Sequence, residues 1–282
     1  MKEISKQNFL IFLILYASLI LGFYFGENSS RGAYPDFNAH LRVMNELNFG
    51  FRHFFLNYAD FNYSHSPIWI VFLSIINKLS NIDITRFIFL HISILIPILF
   101  YFNLKLKYND LDKNKLFCFS LIIFISPYFR SLSIWPGDEN LALVFFLGSI
   151  FYFFKYEKKL TKINLLLHII FLASASYLRP NYCFFSVFFF FNLFFNKKKE
   201  NLFFYILLNI ILSLPAFYYI FFLNVIFFVG HIENLLQNIL NSVVFTVTII
   251  FFYYIPFSKI NDIKLISKNN YKLIISIFIS LF

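Results

Sequence analysis

Apolar runs of membrane-spanning length, parted by short basic connections, set the pattern of this chain. The runs cover residues 9–25, 85–102, 116–133, 140–154, 163–178, 182–195, 202–229 and 239–257, with a stub at 273–282. A helix needs about 20 predominantly apolar residues to cross a bilayer. The pattern therefore predicts an all-α, polytopic integral membrane protein of about eight or nine transmembrane helices. Pro97 and Pro215 lie inside runs and are expected to kink them, and Pro127 lies in the third run where it nears the outer face.

The one long polar interruption is the stretch 27–67. Loops of this length between helices tend to be functional or disordered, and this one is too aromatic and too patterned for disorder. From Asp36 the apolar residues Phe37, Leu41, Met44, Leu47 and Phe51 recur at helical spacing, with Asn38, Arg42, Asn45 and Glu46 on the opposite side. This predicts an amphipathic helix in the membrane interface, with Pro35 and Asp36 at its start. Asp36 and His40, one turn apart, are expected to face the same way. Residues 68–79 are apolar, but at about a dozen residues they are too short for a comfortable crossing. Entered through Pro67 and anchored by Trp69, they predict a second in-plane or re-entrant helix.

Composition agrees with a membrane protein. With 60% hydrophobic and 13% charged residues over 282 positions, the chain has no room for a sizeable soluble domain. A net charge of +10 raises nucleic acid as a partner. The lysines, however, cluster between apolar runs, which is the positive-inside pattern, and nucleic acid is set aside. Cys118 and Cys183 lie in apolar runs and form no metal-ligand spacing.

Charge also decides the topology. If 68–79 does not cross, the stretches 1–7, 103–115, 155–162, 197–200 and 258–272 share the cytoplasmic face and hold 17 of the 24 basic residues. If it crosses, four of those five clusters fall outside, against the orientation rule. The N-terminus is therefore expected in the cytoplasm, with 27–84 as an extracytoplasmic loop, 85–195 as a helical module and 196–282 as additional spans. No small-residue cleavage site follows the first run, so it is expected to stay as an anchor. The chain stops ten residues into its last run, which predicts either a short half-inserted helix or a truncated product.

With this topology one face collects Asp36, His40, Asp60, His65, Arg86, Asp138, Glu139 and Arg179. Charges at membrane depth are costly and tend to mark function. Each also has a plainer reading. Asp36 can cap its helix, Asp138 and Glu139 suit a helix start, Arg179 can snorkel at a helix end, and His65 before a proline can be a loop hydrogen-bonder.

Taken in order, these residues form a series. An acid stands early in a long first outer loop (Tyr34-Pro35-Asp36). A His-x-Pro element leads into a short helix (His65-Ser66-Pro67), and Arg86 opens the next span. An acidic outer loop follows (Trp135-Pro136-Gly137-Asp138-Glu139), then Arg179-Pro180 after the fifth span. The order and sidedness, over residues 5–195, resemble the GT-C superfamily of membrane glycosyltransferases, which includes the protein O-mannosyltransferases and the aminoarabinose transferases that modify lipid A. Two features depart from that pattern: Phe37 rather than a second acid follows Asp36, and no large C-terminal outer domain is present.

The resemblance implies an enzyme of the bacterial inner (plasma) membrane. It would move a sugar from a polyprenyl-phosphate donor, at the extracytoplasmic face, to a glycan, lipid or protein acceptor. Asp36 is then the general base for the acceptor hydroxyl, and Arg179 grips the departing phosphate. Asp138 holds a divalent cation or orients the sugar, with Glu139 as its substitute, while His65 and Arg86 contact substrate. Two rivals stand beside this reading: a transporter or flippase for a lipid-linked saccharide, and an acyltransferase or polymerase of surface polysaccharide. A flippase needs polar groups through the membrane depth, whereas here they crowd one face.

Overall fold

The computed structural model describes residues 5–61, 63, 65–195 and 201–222. The runs expected at 239–257 and 273–282 and the basic clusters at 197–200 and 258–272 lie outside these. Among the described residues the protein is all-helical, without a strand.

Helix α1 (Lys6–Tyr24) starts where the Ser5 hydroxyl accepts from the Asn8 amide at 3.2 Å. Helix α2 (Ala33–Asn45) carries Asp36 in its first turn, where a carboxylate suits the positive end of the helix. The short α3 (Phe51–Leu56) follows Gly50, whose φ of 102° favours glycine. Helix α4 (Pro67–Leu79) matches the expected short apolar segment, with Pro67 in its first turn. Trp69, expected as an interfacial anchor, is instead fully buried.

Helix α5 (Ile82–Lys107) is capped by Asn81, which accepts from the Ile84 amide at 2.8 Å. The continuous helix expected over 116–133 is broken. Helix α6 (Lys113–Leu121), extended by a 3-10 turn, and α7 (Pro127–Ile134) meet at a bend of 69°. Pro127 has no N–H to continue the first helix and forces Ser126 into extended backbone, with ψ 120°. Helices α8 (Asp138–Lys159) and α9 (Lys162–Leu178) form a hairpin closed by Leu160, in the left-handed region at φ 48°, and Thr161. By length and composition α1 and α5 can cross a membrane, and α6 with α7 makes a third span if the bent pair counts as one.

Residues 5–183 together with 207–222 form one compact unit. Helix α10 (Phe184–Phe195) and residues 202–206, the start of α11 (Leu202–Phe222), belong to a second. Within that second unit Tyr205 Oη donates to the Ser186 carbonyl at 2.8 Å.

In the first unit, contacts sort the polar residues to opposite ends. At one end the Ser5 amide donates to Asn114 Oδ1 at 2.9 Å, and Lys158 Nζ donates to Asn109 Oδ1 at 3.0 Å. The start of α1, the α5–α6 connection and the end of α8 therefore lie together, each with its lysines. At the other end the Arg86 guanidinium, at the start of α5, lies 4.9 Å from the Phe23 ring near the end of α1. The intervening stretch with α2, α3 and α4 thus begins and ends at the same end of this unit. Between the ends, Leu19, Leu90, Ile96, Phe124, Ile134 and Leu147 pack α1, α5, α7 and α8 together.

Candidate functional site

The α8–α9 hairpin builds the centre. Because the two helices run antiparallel from a two-residue turn, the first turn of α8 meets the end of α9. Gly148 sets how closely they approach, since a Cβ there would press into the Phe171 ring. Asn140, in the first turn of α8, fixes the height of that helix. Its amide donates to Ser93 Oγ on α5 at 3.1 Å, to Ser133 Oγ at 3.1 Å and to the Phe129 carbonyl at 3.3 Å.

Asp138 is therefore placed on a rigid element, and its side chain is fully buried. It does not act as a cap: Gly137 occupies the cap position without a side-chain hydrogen bond. Instead Asp138 Oδ1 faces His65 Nδ1 at 3.1 Å and Arg179 Nε at 3.0 Å. The Arg179 contact is an ion pair without hydrogen-bond alignment, while Arg179 Nη2 pairs with Glu139 Oε1. Asp138 Oδ2 is buried and has no hydrogen-bond partner among the described residues. A Cβ at Gly137 would run into Glu139 Oε2 and lie 2.9 Å from Leu132 Cδ2, so a larger residue there moves the Glu139 side chain.

His65 enters from the loop before α4. Tyr58 Oη holds its carbonyl at 2.7 Å, and the His40 ring packs against its ring at 4.8 Å and 77°. His40 lies on α2, fully buried, and its Nδ1 shares a close hydrogen bond with Tyr63 Oη. Burial, with His65 next in effect, pulls the His40 imidazole down to about 3, so it is neutral. Burial and then the Asp138 charge push the Tyr63 phenol up.

Asp36 and His40 do not share surroundings as their spacing predicts. Asp36 is exposed in the first turn of α2, and His40 is buried one turn later, where α2 packs on α4. Asp36 makes no ion pair among the described residues. It nevertheless belongs to the same neighbourhood, because the charges of Asp36, Asp138 and Arg179 all act on Tyr63 and on Tyr128.

Of the residues singled out from sequence, the structure thus brings together His65, Asp138, Glu139 and Arg179, with Asp36 at the rim. Arg86 stands apart. Its guanidinium stacks on Trp135 at 3.7 Å, and its Nε donates to the Ile134 carbonyl at 3.1 Å. Tyr63 and the buried role of His40 had no signal in the sequence beyond proximity to His65. Beside the cluster, Glu27 and Arg130 pair at 2.5 Å, joining the end of α1 to α7.

His65, Asp138 and Glu139 offer donor atoms within 4.8 Å of one another, a possible seat for a cation. As arranged, Arg179 already holds both carboxylates, and His65 Nδ1 lies in hydrogen-bond contact with Asp138. A divalent ion fits only with Arg179 displaced, so no step below runs through one. No family model, curated protein or solved structure matches the chain.

Proposed function

We propose that this protein is a polytopic membrane glycosyltransferase. It takes a sugar from a polyprenyl-phosphate donor at the extracytoplasmic face and passes it to an acceptor hydroxyl. The carrying observation is the buried Asp138, bonded to His65 and Arg179 at the end of the helices opposite the lysine clusters. A charged group held this way at the edge of a membrane domain costs stability and is kept for chemistry or binding. In this reading the lysine end is cytoplasmic, about eight or nine helices span the membrane, and the isoprenoid tail lies along their apolar faces.

Three groups of the site support a reading of inverting transfer. Asp138 Oδ2, buried and without a hydrogen-bond partner among the described residues, can accept a sugar hydroxyl. Arg179, partly exposed, is the cation able to turn from Glu139 to the phosphate as its charge develops. Asp36, the base that the resemblance implies, lies at the rim where an acceptor arrives from water.

The test is transfer of labelled sugar from polyprenyl-phosphate donor in membranes carrying the parent chain or its Arg179→Ala and Asp138→Asn variants. Each variant is expected to lose about 100-fold or more. Parent-level transfer by both variants would remove the cluster from the reaction.

A further inference from the structure

At the lysine end of α5 and α8 we infer a seat for an anionic phospholipid, with Lys107 and Lys155 on its headgroup phosphate and its acyl chains along α5. This rests on the membrane reading and not on sugar transfer.

Helix direction builds the seat. Asn140 of α8 reaches Ser93 of α5, and further along Asn103 Nδ2 donates to the Leu147 carbonyl at 2.9 Å, so the two helices run parallel toward their lysines. Side chains on a helix lean toward its N-terminus. The lysines near these two C-terminal ends therefore lean back toward the apolar middle, onto aromatic rings. Lys155 Nζ lies over Phe151 at 4.4 Å and Tyr152 at 5.6 Å, and Lys107 Nζ lies over Phe154 at 5.5 Å. Phe151 and Phe154, three residues apart, are neighbours on one side of α8. The Phe151 ring meets Phe102 of α5 at 6.3 Å, so both ammonium groups stand at the α5–α8 seam.

Charge complementarity names the occupant. Among the described residues neither ammonium has an ion pair or a hydrogen bond, and a ring face attracts a cation less than a phosphate oxygen does. The stretches 103–115 and 155–162 hold eight lysines against Asp110, Asp112 and Glu157. Of these acids, Asp112 caps α6 by accepting from the Asn114 amide at 3.0 Å. Positive charge placed beside apolar runs suits an anion that itself lies in the membrane interface, a lipid phosphate.

The apolar part fits the same occupant. Ile88, Leu95 and Phe102 recur every seven residues on α5, and each is more than a third exposed. From the ring that meets Phe151 they run about 21 Å back along the helix. That is long enough for an acyl chain filling half of a hydrocarbon core about 30 Å thick. A free phosphate would use the lysines alone, whereas a lipid uses both.

The experiment uses the full chain in neutral detergent, with dioleoyl-phosphatidylglycerol as the probe and native mass spectrometry to follow the lipid retained. The parent is expected to prefer this lipid over phosphatidylcholine by at least about tenfold. Each lysine near a membrane surface contributes about fivefold in affinity, so Lys107→Gln with Lys155→Gln should weaken binding about 30-fold. Lys107→Arg with Lys155→Arg keeps the charges and should stay within about threefold of the parent. The control Lys158→Gln with Lys159→Gln, at the same helix end, should also stay within about threefold. Parent-level binding by the Lys107 and Lys155 glutamine pair overturns the assignment. A control that loses as much shows diffuse charge rather than a seat, and displacement of the lipid by inorganic phosphate makes it a site for a free anion; either result overturns it too.

Discussion

Replacing Arg179 with methionine removes a guanidinium from two carboxylates and keeps much of the apolar stem. Removing one partner of a fully buried pair costs about 3–5 kcal/mol, and of an exposed pair about 0–1 kcal/mol. Here the Asp138 side chain is 0% exposed, Glu139 21% and Arg179 31%. Solvent screens the arginine, and His65 still bonds Asp138, so the cost should fall between those limits at about 2–3 kcal/mol. The triple variant Arg179→Met, Asp138→Asn, Glu139→Gln removes the charges together, and should recover at least about half of that loss. Unfolding of the full chain from mild detergent into sodium dodecyl sulfate, followed by tryptophan emission from the buried Trp69, measures both. If Arg179→Met unfolds with the parent, or if the triple variant is no more stable than Arg179→Met, the cluster is not a charge-coupled unit.

Other perturbations reach the same region from different sides. His40 titrates near 3 in the fold against an ordinary 6.5, so on acidification the unfolded chain takes its proton first. The parent therefore loses stability below the ordinary value, by about 2 kcal/mol between pH 7 and pH 5 from this group; His40→Gln, compared in the same unfolding titration, should lose that much less. Glu27 has the opposite linkage sign. Arg130 depresses its carboxyl below the ordinary 4.5, so the pair stabilises above that pH and its contribution disappears as pH falls through the lower folded value. The stability gap between the parent and Arg130→Met should accordingly narrow below pH 4.5, and a gap that stays constant rejects the pairing. Gly137→Ala should push Glu139 off Arg179 and lower transfer by about 10–100-fold, with chain levels in the membrane unchanged; parent-level transfer would show that Glu139 is not needed.

The sequence made the axial layout legible because hydropathy and lysine placement report on distance along a helix. The positions of α1, α4, α5, α8 and α9 follow from apolar runs, and the contacts of Ser5 with Asn114 and of Lys158 with Asn109 bring three lysine-bearing stretches together. What hydropathy does not register is backbone geometry. Residues 116–133 read as one apolar run, and only the missing N–H of Pro127 breaks it.

Lateral partners were the harder part. That Arg179 meets Asp138 and Glu139 depends on the tight turn at Leu160 and on two helices of matching reach, properties of the hairpin rather than of any local motif. The spacing of Asp36 and His40 put them on one face, but spacing carries no information about depth. Helix α2 packs against α4 with His40 buried, while Asp36 in its first turn is exposed.

The central claim is that sugar transfer occurs at the end of the molecule opposite the lysine clusters. Sealed vesicles carrying the full chain in known orientation, given labelled polyprenyl-phosphate sugar and a membrane-impermeant acceptor on one side at a time, test it directly. The account predicts labelled product only when the acceptor shares the side of Asp36 and His65, and none with Asp138→Asn. Product formed from the lysine side, or formed equally with Asp138→Asn, would contradict it.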